Sequence, residues 1–318
     1  MTREAWPLIE QAQSIFLIAH VDPDGDTIGS TLALGYALRQ MGKDCTLACS
    51  DPVPRILSFL PGIDEFSTPS IGQCDVVITV DASDPGRLGG AYEGVLTMGL
   101  PILNIDHHVT NTRFATVNLV RPKASATAEI VFDLLREWKV EINSLLATYL
   151  LTGIVTDTQS FSTSSTSPRT LEVASELARA GASLIEINEH YYKSKDPGTL
   201  RLWGRMLDCM RVDGRLVWSI NTVRMREECQ AGSDNGNGMV NLLVSVREAA
   251  AAILFKEYEG NRVEISIRSR PGVDISAIAV HFGGGGHPQA AGAVLNGNLE
   301  TAIPRVLAKA REVLDYGC

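Results

Sequence analysis

The sequence predicts an α/β protein, a doubly wound and mainly parallel sheet followed by a smaller α+β region. Three observations carry that expectation. The runs Ser14-Ile-Phe-Leu-Ile-Ala19, Asp75-Val-Val-Ile-Thr-Val80 and Pro101-Ile-Leu-Asn-Ile105 are nearly all apolar, as strands buried on both faces are. Helical patterns lie between and after these runs, at 28–41, 125–138 and 143–157. Past about residue 210 the pattern changes to alternating strands joined by tight turns. A chain of 318 residues is long enough for two cores.

Taken in order, residues 1–13 read as a short helix leading into the strand Ser14–Ala19. The helix at 28–41 ends at Gly42, a residue suited to the left-handed position after a helix, and Asp26 or Thr27 is placed to cap its start. A short strand at 45–49 and a short helix at 52–59 follow. The strand at 75–80 stops at Asp81, and that at 101–105 stops at Asp106-His107-His108. A strand at 115–120 precedes helices at 125–138, 143–157 and 168–180, the last opened by Ser167-Pro168. Residues 1–186 form the first domain in this reading, and 187–209 a helical connection interrupted near Asp196-Pro197-Gly198. The second domain, 210–318, starts with a hairpin turning on Asp213-Gly214. A glycine-rich loop at 232–238 and strands at 249–258 and 262–269 follow. The chain closes with a helix near 274–281, the run Gly283-Gly-Gly-Gly286-His287, and an amphipathic helix at 299–314.

Composition removes several classes of function. The formal net charge of −9 argues against sequence-independent binding of long duplexes, which needs clustered Lys and Arg. An acidic site can still serve anionic substrates where divalent cations invert the local field. The six cysteines are scattered without a CxxC pair, so neither thiolate zinc nor a disulfide framework is expected. No apolar run approaches the ~18–20 residues of a membrane span, and the first residues lack the order of a signal peptide. The protein is expected in the cytoplasm, with no membrane partner.

Ligands bind beyond the carboxyl ends of the strands in parallel sheets, and His20, Asp81 and Asp106 all fall at such ends. Around them stand His20-Val-Asp22-Pro-Asp24-Gly-Asp26, the Asp106-His107-His108 triplet and Asp157. Any one of these residues has an ordinary reading as a helix cap or a structural histidine. Their combination instead points to hard carboxylates mixed with imidazoles, which suits Mn²⁺ or Mg²⁺, with iron or cobalt as further choices.

These motifs, in this order, resemble the DHH family of phosphoesterases. The likeness rests on HVDPDGD at 20–26, VVITVDASD ending at Asp84, Asp106-His107-His108 and GIVTDT at 153–158. FGGGGHPQAAG at 282–292 is similar to the signature of the DHHA1 domain, so the likeness spans nearly the whole chain. Among family members, the stand-alone oligoribonucleases that also act on 3′-phosphoadenosine 5′-phosphate have this two-domain length.

The resemblance implies a catalytic domain followed by a substrate-binding domain, and two divalent metal ions. His20 and Asp24 would hold one metal, Asp26, His107 and Asp157 the other, with Asp81 bridging. Asp22 would orient His20 or a water. His108 would contact phosphate or protonate the leaving group, and Asp106 would orient the histidine pair; local hydrogen bonding to backbone is the plainer role for Asp22 and Asp106. Arg268 and the stretch Gly284, Gly285, Gly286 and His287 would bind a terminal phosphate and base. The implied substrates are short single-stranded RNA or DNA, dinucleotides such as pApA and nucleotide phosphates, and a homodimer is expected by the same analogy. Gln159-Ser-Phe-Ser-Thr-Ser-Ser165 departs from the glycine and basic residues many relatives carry there. The competing readings are a catalytically silent nucleotide-binding module and an inorganic pyrophosphatase; complete ligand motifs weigh against the first, and FGGGGH at 282–287 against the second.

Overall fold

The computed structural model describes residues 2–68, 72–231, 236 and 238–315. The chain divides into two compact units, Met1–Ser194 and Lys195–Cys318. In the first, α1 (Thr2–Gln11) leads to β1 (Ser14–Ala19), α2 (Gly25–Gln40), β2 (Asp44–Cys49), β3 (Val76–Val80), α3 (Ala91–Met98), β4 (Ile102–Asp106) and β5 (Val117–Val120). Helices α4 (Thr127–Glu137), α5 (Ser144–Asp157), α6 (Pro168–Arg179) and α7 (Leu184–Tyr192) complete it. The strands form one parallel sheet in the order β2-β1-β3-β4-β5.

Both faces of this sheet are covered, which is why its strands read as unbroken apolar runs. Ile15 and Leu17 of β1, Ile78 and Val80 of β3 and Leu103 and Ile105 of β4 share a core with residues of α2, α4 and α5. The alternate residues Phe16, Ile18, Val77 and Ile102 pack on the opposite side with Val95 of α3 and Leu88. Backbone amides and carbonyls inside such a layer are paired along the ladder, so the free valences lie at the strand ends.

Three local expectations change. Helix α2 starts at Gly25, not Ile28, because Asp24 caps it by accepting from the amides of Asp26 and Thr27. The helix expected at 52–59 is a single 3₁₀ turn, Arg55–Leu57, confined by Pro54 before it. The helix α3 had no counterpart in the sequence reading.

The second unit holds α8 (Pro197–Asp208), β6 (Arg211–Asp213), β7 (Leu216–Asn221), α9 (Val223–Cys229), α10 (Met239–Leu243), β8 (Ala251–Tyr258) and β9 (Arg262–Ser269). It ends with α11 (Ser276–His281), β10 (Gly285–His287), β11 (Ala290–Asn296) and α12 (Leu299–Asp315). Its sheet runs β10-β11-β9-β8-β7-β6, antiparallel except for β7 beside β8. The hairpin on Asp213-Gly214 forms as expected, with Gly214 at φ 58°. Ile253 and Phe255 face α11 and α12, while Ala252 and Leu254 face α8 and α10. The segment 187–209, read from sequence as one connection, lies partly in each unit: α7 in the first and α8 in the second. The glycine-rich stretch at 232–238 falls largely outside the described residues. No described helix is long and apolar enough to cross a membrane.

Candidate metal centre

The carboxyl edge of the parallel sheet gathers all six residues expected as metal ligands, His20, Asp24, Asp26, Asp81, His107 and Asp157. His20 directly follows β1, and its Nδ1 lies 2.7 Å from the Val21 carbonyl, leaving Nε2 toward the carboxylates. That nitrogen is 3.8 Å from Asp24 Oδ1 and 3.5 Å from Asp81 Oδ2. A carbonyl behind a histidine fixes tautomer and ring orientation, as it does for metal-bound imidazoles. The orienting part expected of Asp22 is thus played by Val21; Asp22 is exposed, has φ 52°, and its amide donates to Asp51 Oδ2 at 2.7 Å.

Asp24 and Asp26 differ sharply although they are two residues apart. Asp24 is half exposed and spends one oxygen on the α2 cap. Asp26 is buried, and both its oxygens accept backbone amides at the start of α4, Thr127 at 2.6 Å and Ala128 at 2.9 Å. Ser30 adds a hydroxyl at 3.2 Å.

Asp81 follows β3 in the left-handed conformation, φ 61°, which a short polar side chain tolerates better than most. Its Oδ1 accepts from Thr127 Oγ1 at 2.8 Å and lies 3.5 Å from His107 Nε2 and 3.6 Å from His108 Nδ1. His107 Nδ1 is 3.3 Å from the Ala124 carbonyl, and its Nε2 is also 3.5 Å from Asp157 Oδ2. Asp106 accepts from the His107 amide at 2.8 Å, pairs with His108 Nδ1 at 2.7 Å and takes Asn111 Nδ2 at 2.6 Å. The main chain of His107 and the ring of His108 are thus both bonded to Asp106.

Asp157 is the last residue of α5, beyond which Gln159, Ser160 and Phe161 all have φ between 47° and 66°. Thr158 holds this left-handed turn by donating to the Ile154 carbonyl at 2.6 Å and accepting the Phe161 amide at 3.0 Å. Helices α2 and α5 cross with their main chains in contact. A Cβ at Gly29 would stand 2.4 Å from the Tyr149 carbonyl oxygen, and one at Gly153 would stand 2.6 Å from Asp26 Oδ1.

The charges gathered here are at odds with one another. Burial drives Asp26 well above the usual carboxylate range, with Asp81 and Asp157 adding to it, while the two amides favour the anion. Asp157 is pushed up to about 6, chiefly by burial. Burial opposes charge on His107, but Asp157, Asp81 and Asp26 outweigh it and raise the imidazole to about 9. Asp81 is held low despite its burial, by His20, His108 and His107. Protons on the imidazoles thus balance the buried carboxylates. A divalent cation would do the same more effectively, because it brings two positive charges to one point and coordinates the oxygen and nitrogen lone pairs directly.

The donors fit such an ion. His20, Asp24 and Asp81 form one trio, Asp26, Asp81 and His107 a second, and Asp81, Asp106 and His108 a third. In each trio, one ligand atom from every member lies within 4.8 Å of the others. Asp81 belongs to all three.

The residues expected to bind substrate lie in the second unit. Arg268 on β9 and His287 on β10 are both register partners of Ala290 on β11, so they flank a small residue in one row of the sheet. Of the glycine run, Gly285 and Gly286 belong to β10. A Cβ at Gly284 would lie 2.0 Å from the Gly292 carbonyl oxygen, and one at Gly286 would lie 2.4 Å from that of Ala290. Gly283 has φ 78°; a Cβ at Gly285 alone of the four would meet nothing within 4 Å at an ordinary backbone angle.

Three residues near the centre escaped the sequence reading: Thr127, Asn111 and Arg87. The Arg87 guanidinium lies 3.1 Å from His20 Nδ1 and opposes protonation of that ring. It sits in the 3₁₀ turn Pro85–Leu88, whose carbonyl at Arg87 accepts the Val21 amide at 2.7 Å. No periodicity marks it. Thr127 carried one faint signal, an alanine where its helix should have a cap.

Comparison with known proteins agrees with this geometry. The model of the DHH family N-terminal domain matches residues 14–154, and that of the DHHA1 domain matches 230–315. The bifunctional oligoribonuclease and PAP phosphatase NrnA of Thermus thermophilus is 39% identical over 94% of this chain and 90% of its own. The protein of that name from Mycoplasma genitalium is 29% identical, covering 92% of each chain. An exopolyphosphatase-related protein from Bacteroides fragilis has a similar structure, with TM-score 0.91 at 25% identity over 99% of this chain and 96% of its own. With these motifs gathered at one sheet edge and both domain models matched, the chain belongs to the DHH family and carries the DHHA1 domain in its second unit.

Proposed function

We propose that the protein is a cytoplasmic phosphoesterase that hydrolyses short oligonucleotides, with pApA and 3′-phosphoadenosine 5′-phosphate as further substrates. The observation that carries this reading is the buried carboxylate of Asp81, common to three groups of metal-binding donors. The relatives named as oligoribonucleases and PAP phosphatases support the substrate class.

Two divalent cations, Mn²⁺ being the best match to mixed carboxylate and imidazole donors, would supply an activated hydroxide and polarise the phosphoryl group. His20 and Asp24 would hold one, Asp26, His107 and Asp157 the other, and Asp81 would serve both. Asp106 fixes His108 through Nδ1 at 2.7 Å, and His108 is the residue assigned to protonate the departing oxygen. Asp22, exposed beside the ligands, orders water at the rim. In the second unit Arg268, His287 and the glycines Gly284, Gly285 and Gly286 recognise the anionic end of the substrate. The guanidinium supplies the fork suited to phosphate, and Gly285 leaves room for a close approach.

The test is one manganese-supplemented assay of 5′-phosphorylated dinucleotides, longer RNA, pApA, phosphoadenosine phosphate and pyrophosphate side by side. Turnover of the dinucleotides ahead of longer RNA and pyrophosphate is expected. Binding of pApA with no turnover of any substrate would overturn the catalytic reading.

A further inference from the structure

Helix α4 begins without a cap of its own. Its N-cap residue is Ala126, extended at φ −160° and ψ 157°, and no side chain at that position bonds the first turn. Ser125 does not substitute, since its hydroxyl donates to Glu129 Oε2 at 2.7 Å. Glu129 also receives Thr170 Oγ1 at 3.1 Å, so this end of the helix is pinned from behind by buried groups. The Thr127 and Ala128 amides of the first turn are met instead by Asp26, which lies 101 residues earlier in the chain than Thr127. A local capping rule is broken and satisfied at a distance, and such breaks mark functional sites more often than ordinary packing.

Thr127 makes two different bonds at this point. Its amide donates to Asp26 Oδ2 at 2.6 Å, and its hydroxyl donates to Asp81 Oδ1 at 2.8 Å. Threonines deeper in helices α2 and α5 return their hydroxyls to the preceding turn, as Thr31 does to Thr27 and Thr152 to Thr148, and Thr158 at the end of α5 does the same to Ile154. At the first residue of a helix that option is missing, and the hydroxyl is free to serve a carboxylate. The bond to Oδ1 fixes the rotation of the Asp81 carboxylate. Oδ2 then faces His20 at 3.5 Å, while Oδ1 faces His107 at 3.5 Å.

We propose that Thr127 is a positioning residue of the metal centre. One residue gauges two ligands, holding Asp26 through its main chain and turning Asp81 through its side chain so that one oxygen is presented to each cation. This rests on the reading of Asp81 as the carboxylate shared by two ions.

The experiment is a calorimetric titration of metal-free protein with Mn²⁺, in wild type, Thr127→Val and Thr127→Ser. Valine keeps the branch and the amide but loses the donor; serine keeps the donor. Affinity should fall by about 10–100-fold at both sites in Thr127→Val, the usual scale for removing a partner of a metal ligand, and return to within about threefold in Thr127→Ser. Metal-free thermal midpoints of the variants serve as the control for folding, and Thr127→Ala carries the same comparison if the valine variant does not fold. Wild-type affinity in the variant without a donor overturns the proposal, as does a serine variant that loses as much as valine. A wild-type protein that takes up no divalent cation overturns the reading of the centre itself, which is a separate failure.

Discussion

The carboxyl edge of the first sheet and the glycine-rich edge of the second are the two motif-dense regions of the molecule, and their residues are held for different reasons. At the first edge, packing alone would not choose what is found. Asp26 and Asp106 are each buried within reach of buried Asp81, and Asp81 adopts a left-handed backbone. At the second edge, strand pairing accounts for most of the motif: Gly284 and Gly286 have no room for a side chain against β11, and Gly283 needs its positive φ. A cluster of buried charge demands an explanation outside the fold, whereas glycine in a sheet does not. Motif density therefore means chemistry in one place and mainly architecture in the other.

The most severe way to break this contrast is Asp81→Asn, which removes the shared charge while keeping a residue that tolerates the left-handed region. Turnover should fall by about 10³-fold or more, together with metal content after dialysis. Near-normal activity would leave the first edge without its central group.

A smaller effect sharpens the second half of the contrast. Gly284→Ala should destabilise the protein by about 2 kcal/mol through overpacking, read by denaturant unfolding. Gly285→Ala should stay within about 0.5 kcal/mol, yet raise KM for a 5′-phosphorylated dinucleotide. If Gly284→Ala is tolerated and Gly285→Ala unfolds the protein, the division between architecture and recognition has been drawn at the wrong residue.

The gentlest test is by pH. Without metal, His107 stands at about 9 against an ordinary 6.5, and Asp157 at about 6 against 3.8. Both values are raised, so each group contributes stability that is complete below its unfolded value and is lost as pH climbs through its folded value. Metal-free stability should fall between about pH 4 and 6 on account of Asp157 and between about pH 6.5 and 9 on account of His107. Cations displace the same protons, so the rise in thermal midpoint on adding Mn²⁺ should be larger near pH 9 than near pH 6, by about 2–4 °C. A metal-induced shift independent of pH would remove these two groups from the donor set.

Much of the first edge was legible because strand ends announce themselves. The apolar runs stop at His20, Asp81 and Asp106, and a parallel sheet brings such ends together whatever their separation in sequence. Helix starts were harder. Asp26 looked like the cap of its own helix and is instead the cap of α4, a relation no local pattern carries. Arg87 and Thr127 were hidden for the same reason, since each meets the centre through a contact between distant segments. In the second unit the hairpin turn was plain from Asp213-Gly214, but the parallel pairing of β7 with β8 was not, because strand periodicity does not specify a neighbour.

The close crossing of α2 and α5 bears on a different property, the size of ion the centre accepts. Asp26 and Asp157 ride on these two helices, and Gly29 and Gly153 let the main chains touch. The gap between the two carboxylates is therefore a backbone dimension, adjustable only by rotation within each side chain. A centre built on loops can contract around a small cation or swell around a large one; a cation held between Asp26 and Asp157 would meet a nearly fixed aperture, so ionic radius would enter the choice alongside charge and donor type. Discrimination between cations would in this way be vested partly in residues that bear no ligand atom, and drift at Gly29 would alter it without touching a single donor.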